Sequence, residues 1–181
     1  EEIEKHLPIY LNTIPLIKEV NPDVEFIVGL APSFNKDDVL QKFNVNNCKV
    51  ISGNPLKLLE CSNVNMVTSG TISLQSTFMN TPCVVGYKLS NLSWCISKLL
   101  IKVKYISMAN IIADKMIFPE LIQSRLSPKN LANEINKFIA NKEYYNEVKK
   151  DMKYVTNIFM EKKNAIDNVS SLIIYNIDEK N

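Results

Sequence analysis

The feature that most constrains the fold is a repeated alternation of short apolar runs with helical segments. The apolar runs occupy residues 24–28, 48–52, 64–68 and 83–87, and helical spacing separates them at 36–43, 55–61 and 72–79. Strands that are apolar on both faces and alternate with helices are typical of parallel sheets with right-handed crossovers. The sequence therefore predicts an α/β fold, with a parallel sheet and helices on both of its faces.

Glycine is scarce, and its positions mark the predicted strands. Only four glycines occur among 181 residues, whereas average usage of about 7% would give roughly a dozen. Gly29, Gly53 and Gly70 each close a predicted strand, and Gly86 lies within the fourth. The scarcity excludes collagen-like, Gly-Ser linker and GxGxxG architectures. The three closing glycines stand where the chain leaves the sheet toward the expected ligand side.

The first predicted helix, residues 2–20, contains two prolines and the only histidine of the chain. Pro8 and Pro15 are expected at a helix start, a kink or a break. His6 is expected to be a solvated helix residue rather than a catalytic one. No CxxC pair is present, so neither a zinc site nor a redox dithiol is indicated. We expect reduced, mostly buried cysteines at positions 48, 61, 83 and 95.

Beyond residue 128 the pattern is helical, with predicted helices at 129–140 and 143–163. The last stretch, 165–176, suits either a helix or a strand. We therefore expect two units, an α/β domain over residues 1–127 and a helical C-terminal extension over residues 128–181.

Composition places the chain among globular proteins, with 46% hydrophobic residues, 22% charged residues and a net charge of +2. No apolar run approaches the roughly 20 residues that span a bilayer, and the start lacks the apolar core of a signal peptide. We expect a cytoplasmic protein that is soluble or membrane-peripheral. The lysines lack the clustered aromatics of a nucleic-acid surface. The first methionine is Met66, so we expect the chain to be part of a longer protein.

One long stretch carries no acidic residue. No Asp or Glu occurs between Glu60 and Asp114. A positive potential there would favour an anionic ligand. The alternative is that much of the stretch is core, where acids are rare anyway. Core alone does not account for the lysines within it, which are Lys88, Lys98, Lys102 and Lys104.

An apolar stripe at helical spacing runs through residues 92–103 within that stretch, with lysines on its other faces. Such a basic amphipathic helix could lie on an anionic membrane. It could equally be a surface helix packed on the sheet, and the sequence favours neither.

Three other features could carry chemistry. The turn Ser69-Gly70-Thr71 joins a strand to a helix, where hydroxyls and free N–H groups can hold phosphate oxygens or simply cap the helix. Asn110 lies in an apolar stretch and either satisfies buried backbone or faces a ligand. Pro119-Glu120 begins a predicted passage from loop to helix, and Glu120 could cap that helix or bind hydroxyls. No Ser-His-Asp order, P-loop or HExxH motif is present.

Six segments carry a resemblance in their order and spacing over residues 1 to about 140. They are Glu2-Ile3 with Leu7-Pro8, the strand Phe26 to Pro32, Ser69-Gly70-Thr71, Thr81 to Lys88, Lys102 to Ala113, and Pro119 to Gln123. In these segments the chain resembles the C-terminal half of the lipid-A-disaccharide synthase family, bacterial glycosyltransferases of the two-domain GT-B type.

The resemblance implies a Rossmann-like domain that binds UDP and needs no metal or other cofactor. The family's enzyme transfers a 2,3-diacylglucosamine from its UDP derivative to 2,3-diacylglucosamine 1-phosphate, forming the β-1,6 lipid A disaccharide and UDP. The resemblance implies that Ser69, Gly70 and Thr71 form the diphosphate site and that Gln75 contacts the ribose. It also implies that Asn110 is a catalytic residue near the phosphates, with Glu2 and Glu120 as supporting carboxylates.

The resemblance also implies partners outside this chain. These are the two lipid substrates, an N-terminal acceptor domain that supplies the general base, the cytoplasmic face of the bacterial inner membrane and a second copy in a homodimer. Two departures concern residues near the site: Gln75 stands where the family usually has Glu, and Ala109 where it usually has Pro. The alternatives are another GT-B UDP-sugar enzyme, such as an epimerase or transferase, and a degenerate, non-catalytic nucleotide-binding module.

Overall fold

The computed structural model describes residues 2–45, 47–68, 70–90 and 104–161, with only the backbone given for Glu161. The amphipathic segment 92–103 and the stretch 165–176 lie outside the described residues. So do Ser69 of the predicted phosphate turn and the lysines at positions 98 and 102.

Helices and strands alternate along the described chain. Their order is α1 (Glu2–Val20), β1 (Ile27–Leu30), α2 (Lys36–Lys42), β2 (Lys49–Ser52), α3 (Pro55–Cys61), β3 (Asn65–Val67), α4 (Gly70–Phe78), β4 (Cys83–Tyr87), α5 (Met108–Ala113), β5 (Glu120–Ile122), a 3-10 turn (Gln123–Arg125), α6 (Pro128–Ala140) and α7 (Lys142–Glu161). This order confirms the predicted α/β fold and the predicted pair of C-terminal helices.

The strands form two short parallel sheets rather than the single sheet expected. One sheet pairs β1 with β2, and the other has the order β3-β4-β5. In the central strand β4, four consecutive residues from Cys83 to Gly86 are buried. Since successive side chains of a strand point to opposite faces, both faces of this sheet are covered.

One strand is displaced from its predicted range, and another was not predicted. Strand β1 covers residues 27–30 instead of 24–28, so Gly29 lies inside the strand and does not close it. A Cβ at Gly29 would come within 2.9 Å of the Leu58 side chain, so the position serves close packing of α3. Strand β5 was not predicted, and Glu120 lies on it rather than at the start of a helix.

Helix α1 runs without interruption through both of its prolines, so Pro8 and Pro15 neither start nor end it. A proline inside a helix costs about 3 kcal/mol. The helix offsets this cost by burying one face, including Leu7, Ile14 and Ile17, and by packing along α6.

The described buried residues form two hydrophobic clusters. The smaller comprises Leu7, Leu30, Val39, Val45 and Val50. The larger joins β3, β4 and β5 to α5, α6 and α7, and it includes Ile17 from the second half of α1. The C-terminal helices therefore complete the larger core, while the division of the chain at residue 127 stays a prediction. None of the helices described is long and apolar enough to cross a membrane.

Asparagine and serine side chains cap the N-termini of three of the helices. The Asn35 side chain accepts a hydrogen bond from the Asp37 amide at the start of α2, and Asn54 does the same for Leu56 in α3. Ser127 caps α6 in this way. Such caps satisfy N–H groups that have no partner within the helix.

Candidate functional site

The predicted phosphate turn lies where β3 ends and α4 begins. Gly70 is the first residue of α4 and has a φ of +50°, in the left-handed region that favours glycine. A Cβ at this position would meet no atom within 4 Å, so space beside the turn is open. Thr71 is exposed and Gly70 is half-buried. The first N–H groups of α4 have no partner within the helix and can serve an anion.

Gln75 lies on α4, just over one turn beyond Thr71. Its side chain is half-buried, and its amide makes no hydrogen bond to another described residue. Among the described residues nothing occupies the amide, which could donate to, or accept from, a ligand at this end of the sheet.

Tyr10 of α1 joins the carboxyl ends of two neighbouring strands. Its hydroxyl donates to the Val67 carbonyl at 2.9 Å and lies 3.0 Å from Thr68 Oγ1. The Gly86 carbonyl is 3.4 Å away on β4. Helix α1 therefore crosses the end of the sheet at which the predicted turn lies. Burial raises the pKa of Tyr10 to about 12.

Replacing Tyr10 by phenylalanine tests this link through its pH dependence. Near neutral pH we expect a loss of about 1 to 2 kcal/mol of stability, because the Val67 carbonyl loses a buried donor. The folded protein keeps the phenol proton up to a pKa of about 12, above the ordinary value of 10.0. The contribution of Tyr10 is therefore complete below about pH 10 and is lost as the pH rises through about 12. Urea unfolding should show that the difference in unfolding free energy between wild type and Tyr10→Phe closes as the pH rises from about 10 to about 12. A difference independent of pH would contradict the link through the Tyr10 hydroxyl.

His6 is buried, contrary to the prediction of a solvated residue, with 3% of its surface exposed. Nε2 accepts a hydrogen bond of 2.9 Å from the Lys88 amide. Nδ1 lies 2.8 Å from the Glu2 carbonyl, which can only accept, so the ring is the neutral tautomer with its proton on Nδ1. The ring also stacks on Tyr87 at 5.8 Å. His6 thus fixes the exit of β4 against α1, while the Glu2 side chain lies exposed one turn further out.

Asn110 is fully buried, and its side-chain amide is saturated by protein groups. Oδ1 accepts from the amides of Ile117 and Phe118, both at 2.9 Å. Nδ2 donates to the Phe118 carbonyl at 2.9 Å and to Glu120 Oε1 at 2.8 Å. These four bonds use the two donors and two acceptor positions of the amide. The geometry accounts for Asn110 as a tie between α5 and β5; its predicted catalytic role stays a prediction.

Glu120 is a buried carboxylate that collects backbone amides. Its oxygens accept from Ile106 at 3.0 Å and from Ser107 at 2.8 Å, besides the bond from Asn110. Only 5% of Glu120 is exposed, so its oxygens depend on these protein donors for their hydrogen bonds. Glu120 holds the residues that precede α5. The predicted alternative, in which it begins a helix of its own, is wrong because the residue is in β5.

A chain of buried hydroxyls connects this cluster to the predicted turn. Ser107 Oγ donates to Ser73 Oγ at 3.0 Å, and Ser73 Oγ donates to the Gly70 carbonyl at 2.7 Å. The starts of α4 and α5 therefore lie side by side. Sequence reasoning missed both serines, since nothing in a single sequence signals that positions 73 and 107 meet.

The charges of the acid-free stretch are only partly described. Lys88 is exposed at the exit of β4. Lys104 lies beside the Tyr105 side chain and pairs with Asp114 at 3.3 Å on the surface, and these two partners, Tyr105 first, raise the pKa of the lysine. The predicted anionic ligand therefore has one exposed described lysine, Lys88, near the site, in addition to backbone donors.

The described cysteines are free, and they are less buried than predicted. Cys83 in β4 is buried, Cys48 is half-buried and Cys61 is exposed. Burial raises the pKa of the Cys83 thiol, so this group is a packed thiol rather than a thiolate.

Comparison with known proteins gives consistent matches. A family model described as Lipid-A-disaccharide synthetase matches residues 1–174. Lipid-A-disaccharide synthase 1 of Legionella pneumophila (strain Paris) is 34% identical over 139 residues, which cover 76% of this chain and 36% of the relative. The synthase of Haemophilus ducreyi is 35% identical over 152 residues, covering 77% of this chain and 38% of the relative. That of Anaeromyxobacter dehalogenans (strain 2CP-1) is 29% identical over 144 residues, covering 78% and 38%.

The chain thus spans little more than a third of the length of these relatives. The family model nevertheless covers nearly the whole chain, and it agrees with the parallel α/β architecture and with the resemblance of the six segments. On these grounds the chain belongs to the lipid-A-disaccharide synthase family.

Proposed function

We propose that this chain is the donor-nucleotide half of a glycosyltransferase of lipid A biosynthesis. The complete enzyme would transfer a 2,3-diacylglucosamine from its UDP derivative to 2,3-diacylglucosamine 1-phosphate, and UDP would leave. Family membership supports this proposal, and one geometric observation carries it for this chain. The left-handed Gly70 begins α4 at the carboxyl end of β3, beside the start of α5. Ligands of parallel α/β sheets bind at such ends.

The diphosphate and the ribose of UDP each have a candidate partner at this end of the sheet. Ser69, Gly70 and Thr71 would meet the diphosphate through backbone N–H groups and hydroxyls, and Gln75 would contact the ribose. Preorganised donors at this point would stabilise the negative charge that develops on departing UDP. Gln75 accepts hydrogen bonds more weakly than the Glu usual in the family, so we expect the ribose contact to be weaker.

The remaining predicted residues have different places in the proposal. Asn110 and Glu120 would act at the reacting centre by fixing the start of α5, because their polar groups are already bonded within the protein. Glu2 is exposed in the first turn of α1, beyond His6, and would support the site from that side. The acceptor lipid and the general base would come from an N-terminal domain outside this chain.

The surroundings of the reaction belong to the same proposal. Both lipid substrates carry acyl chains, so the complete enzyme would work at the cytoplasmic face of the inner membrane as a peripheral protein. It would form a homodimer, and no nucleic acid takes part. We expect the 181-residue chain alone to bind UDP but to form little or no disaccharide. Robust disaccharide synthesis by this chain alone would contradict the division of labour.

Gly70→Val tests the diphosphate site, with Gly53→Val as a matched control. Both glycines have positive φ, +50° and +137°, and a Cβ at either would meet no atom within 4 Å. Both substitutions therefore strain the backbone without a steric clash. Gly53 follows β2 in the other sheet. In calorimetric titration we expect Gly70→Val to weaken UDP binding about tenfold or more, corresponding to about 1.4 kcal/mol, and Gly53→Val to leave it unchanged.

The titration also separates the proposal from its competitors. Absence of UDP binding by the wild-type chain at millimolar concentration would contradict any UDP-dependent function of this half. Equal UDP affinity of Gly70→Val and wild type would contradict the phosphate role of the turn.

A further inference from the structure

We propose that Ser73 and Ser107 are positioning residues, which orient the Gly70 peptide so that the start of α4 is preorganised for the diphosphate. This inference rests on the proposed function and extends it to two residues that touch no substrate. Both serines are fully buried, with no exposed surface. Their role is therefore exerted through the groups that they bond.

The hydroxyls form a directed chain of hydrogen bonds. The Ser107 hydroxyl donates to Ser73 at 3.0 Å, and the Ser73 hydroxyl, which accepts that bond, donates to the Gly70 carbonyl at 2.7 Å. The Ser73 hydroxyl thus has one defined donor and one defined acceptor. Hydrogen bonds in such a chain polarise and strengthen one another in a buried environment.

The chain of hydrogen bonds begins at Ser107, whose backbone is held by a residue of the sheet. The Ser107 amide donates to Glu120 Oε1 at 2.8 Å, and the same oxygen takes a bond of 2.8 Å from Asn110. Glu120 lies on β5, which pairs with β4 in the middle of the sheet. The position of the Ser107 hydroxyl is therefore set by the sheet itself, not by the loop that carries it.

The last bond of the chain controls the direction of an amide. The Gly70 carbonyl and the Thr71 N–H belong to one planar, trans peptide, so they point in opposite directions. Holding the carbonyl toward Ser73 aims the Thr71 N–H away from the body of α4, off its first turn. That is the side on which the proposed diphosphate lies. Without the Ser73 bond, only the helical hydrogen bonding of α4 would hold the peptide beside a glycine of φ +50°.

Another buried serine of α4 provides a matched control. Ser76 also has no exposed surface, and its hydroxyl donates to the Thr81 carbonyl at 2.9 Å and accepts from Asn65. Ser76 takes no part in the chain of hydrogen bonds that runs from Glu120 to Gly70. Ser73→Ala and Ser76→Ala are therefore the same change at the same burial in the same helix, one within the positioning chain and one outside it.

The experiment compares UDP and uridine binding by the 181-residue chain, measured by calorimetric titration. We expect Ser73→Ala and Ser107→Ala each to weaken UDP binding about 3- to 10-fold, the effect of one hydrogen bond. Uridine binding should stay unchanged, because uridine lacks the diphosphate. Ser76→Ala should lower thermal stability to a similar extent and leave both affinities unchanged. Ser107→Thr keeps a hydroxyl and should restore most of the UDP affinity.

Hydrogen exchange of the unliganded chain supplies a second measurement. We expect Ser73→Ala, but not Ser76→Ala, to accelerate exchange in the peptide that covers residues 70–73. Wild-type binding of UDP with equal UDP affinity in Ser73→Ala would overturn the positioning role while leaving the proposed function intact. Absence of wild-type UDP binding would overturn the proposed function. In that case, unchanged exchange in Ser73→Ala would overturn the structural basis of the positioning role as well.

Discussion

Asn110→Leu is expected to lower the free energy of unfolding by about 4 kcal/mol, one of the two largest effects of the substitutions considered. Leucine has a similar volume but cannot accept a hydrogen bond. The Phe118 amide would remain buried without its partner, the Ile117 amide would keep only its bond to the Lys115 carbonyl, and the Phe118 carbonyl would lose its donor. Each stranded buried group costs about 1 to 3 kcal/mol. Urea unfolding followed by circular dichroism measures the loss.

Asn12→Leu is the matched control, since Asn12 lies exposed on α1. We expect its stability to stay within about 0.5 kcal/mol of wild type. Wild-type stability of Asn110→Leu would contradict the structural account of this residue. It would also return weight to the predicted catalytic role, which could then be measured as turnover in a protein that contains the acceptor domain.

Gly86→Val is expected to destabilise the chain by about 3 kcal/mol, through overpacking and lost hydrogen bonds. A Cβ at Gly86 would come within 2.7 Å of the Tyr10 hydroxyl and of a terminal methyl of Leu126. The Leu126 methyl can move aside, whereas Tyr10 is held by its bonds to Val67 and Thr68. The substitution therefore forces Tyr10 out of the position in which it joins β3 to β4. Thermal or urea unfolding measures the loss.

The double variant Tyr10→Leu with Gly86→Val distinguishes this cause from a general intolerance of side chains at position 86. Leucine removes the hydroxyl and the ring carbon that the new Cβ would meet. We expect the stability loss of the double variant to be smaller than the sum of the two single losses, by about 1 kcal/mol or more. Strict additivity would show that the clash with Tyr10 is not the source of the loss.

The sequence predicted the elements whose signals are local. The helices that became α2, α3 and α4 lie within one or two residues of their predicted ranges, because caps such as Asn54 and turns such as Gly70 mark them. The prediction was wrong for Gly29, which looked like the end of a strand but serves the close approach of Leu58. Close approach of two elements is a tertiary property, and no pattern in one segment records it.

The candidate site likewise combines residues that a local pattern identifies with residues that only tertiary contacts identify. Gly70 was identified from its place after a strand, whereas the groups that hold it are Ser73, Ser107 and Glu120, which are far apart in sequence. Strand β5 was missed because it has only three residues and begins with a carboxylate. A carboxylate in a sequence normally indicates a residue on the protein surface. The burial of Glu120 is explained by the donors that the fold brings to it, which are the backbone amides of Ile106 and Ser107 and the side chain of Asn110.

Helix α1 belongs to both hydrophobic cores, with Leu7 in the smaller and Ile17 in the larger. The smaller core has five buried side chains among the described residues, so its local free energy of opening is the lower of the two. The sheet of β1 and β2 is therefore expected to detach from α1 as a separate cooperative unit, because His6 and Tyr10 hold the first half of α1 to the ends of β4 and β3. Helix α1 would stay on the larger core and along α6, so a partly opened molecule would keep the starts of α4 and α5 together.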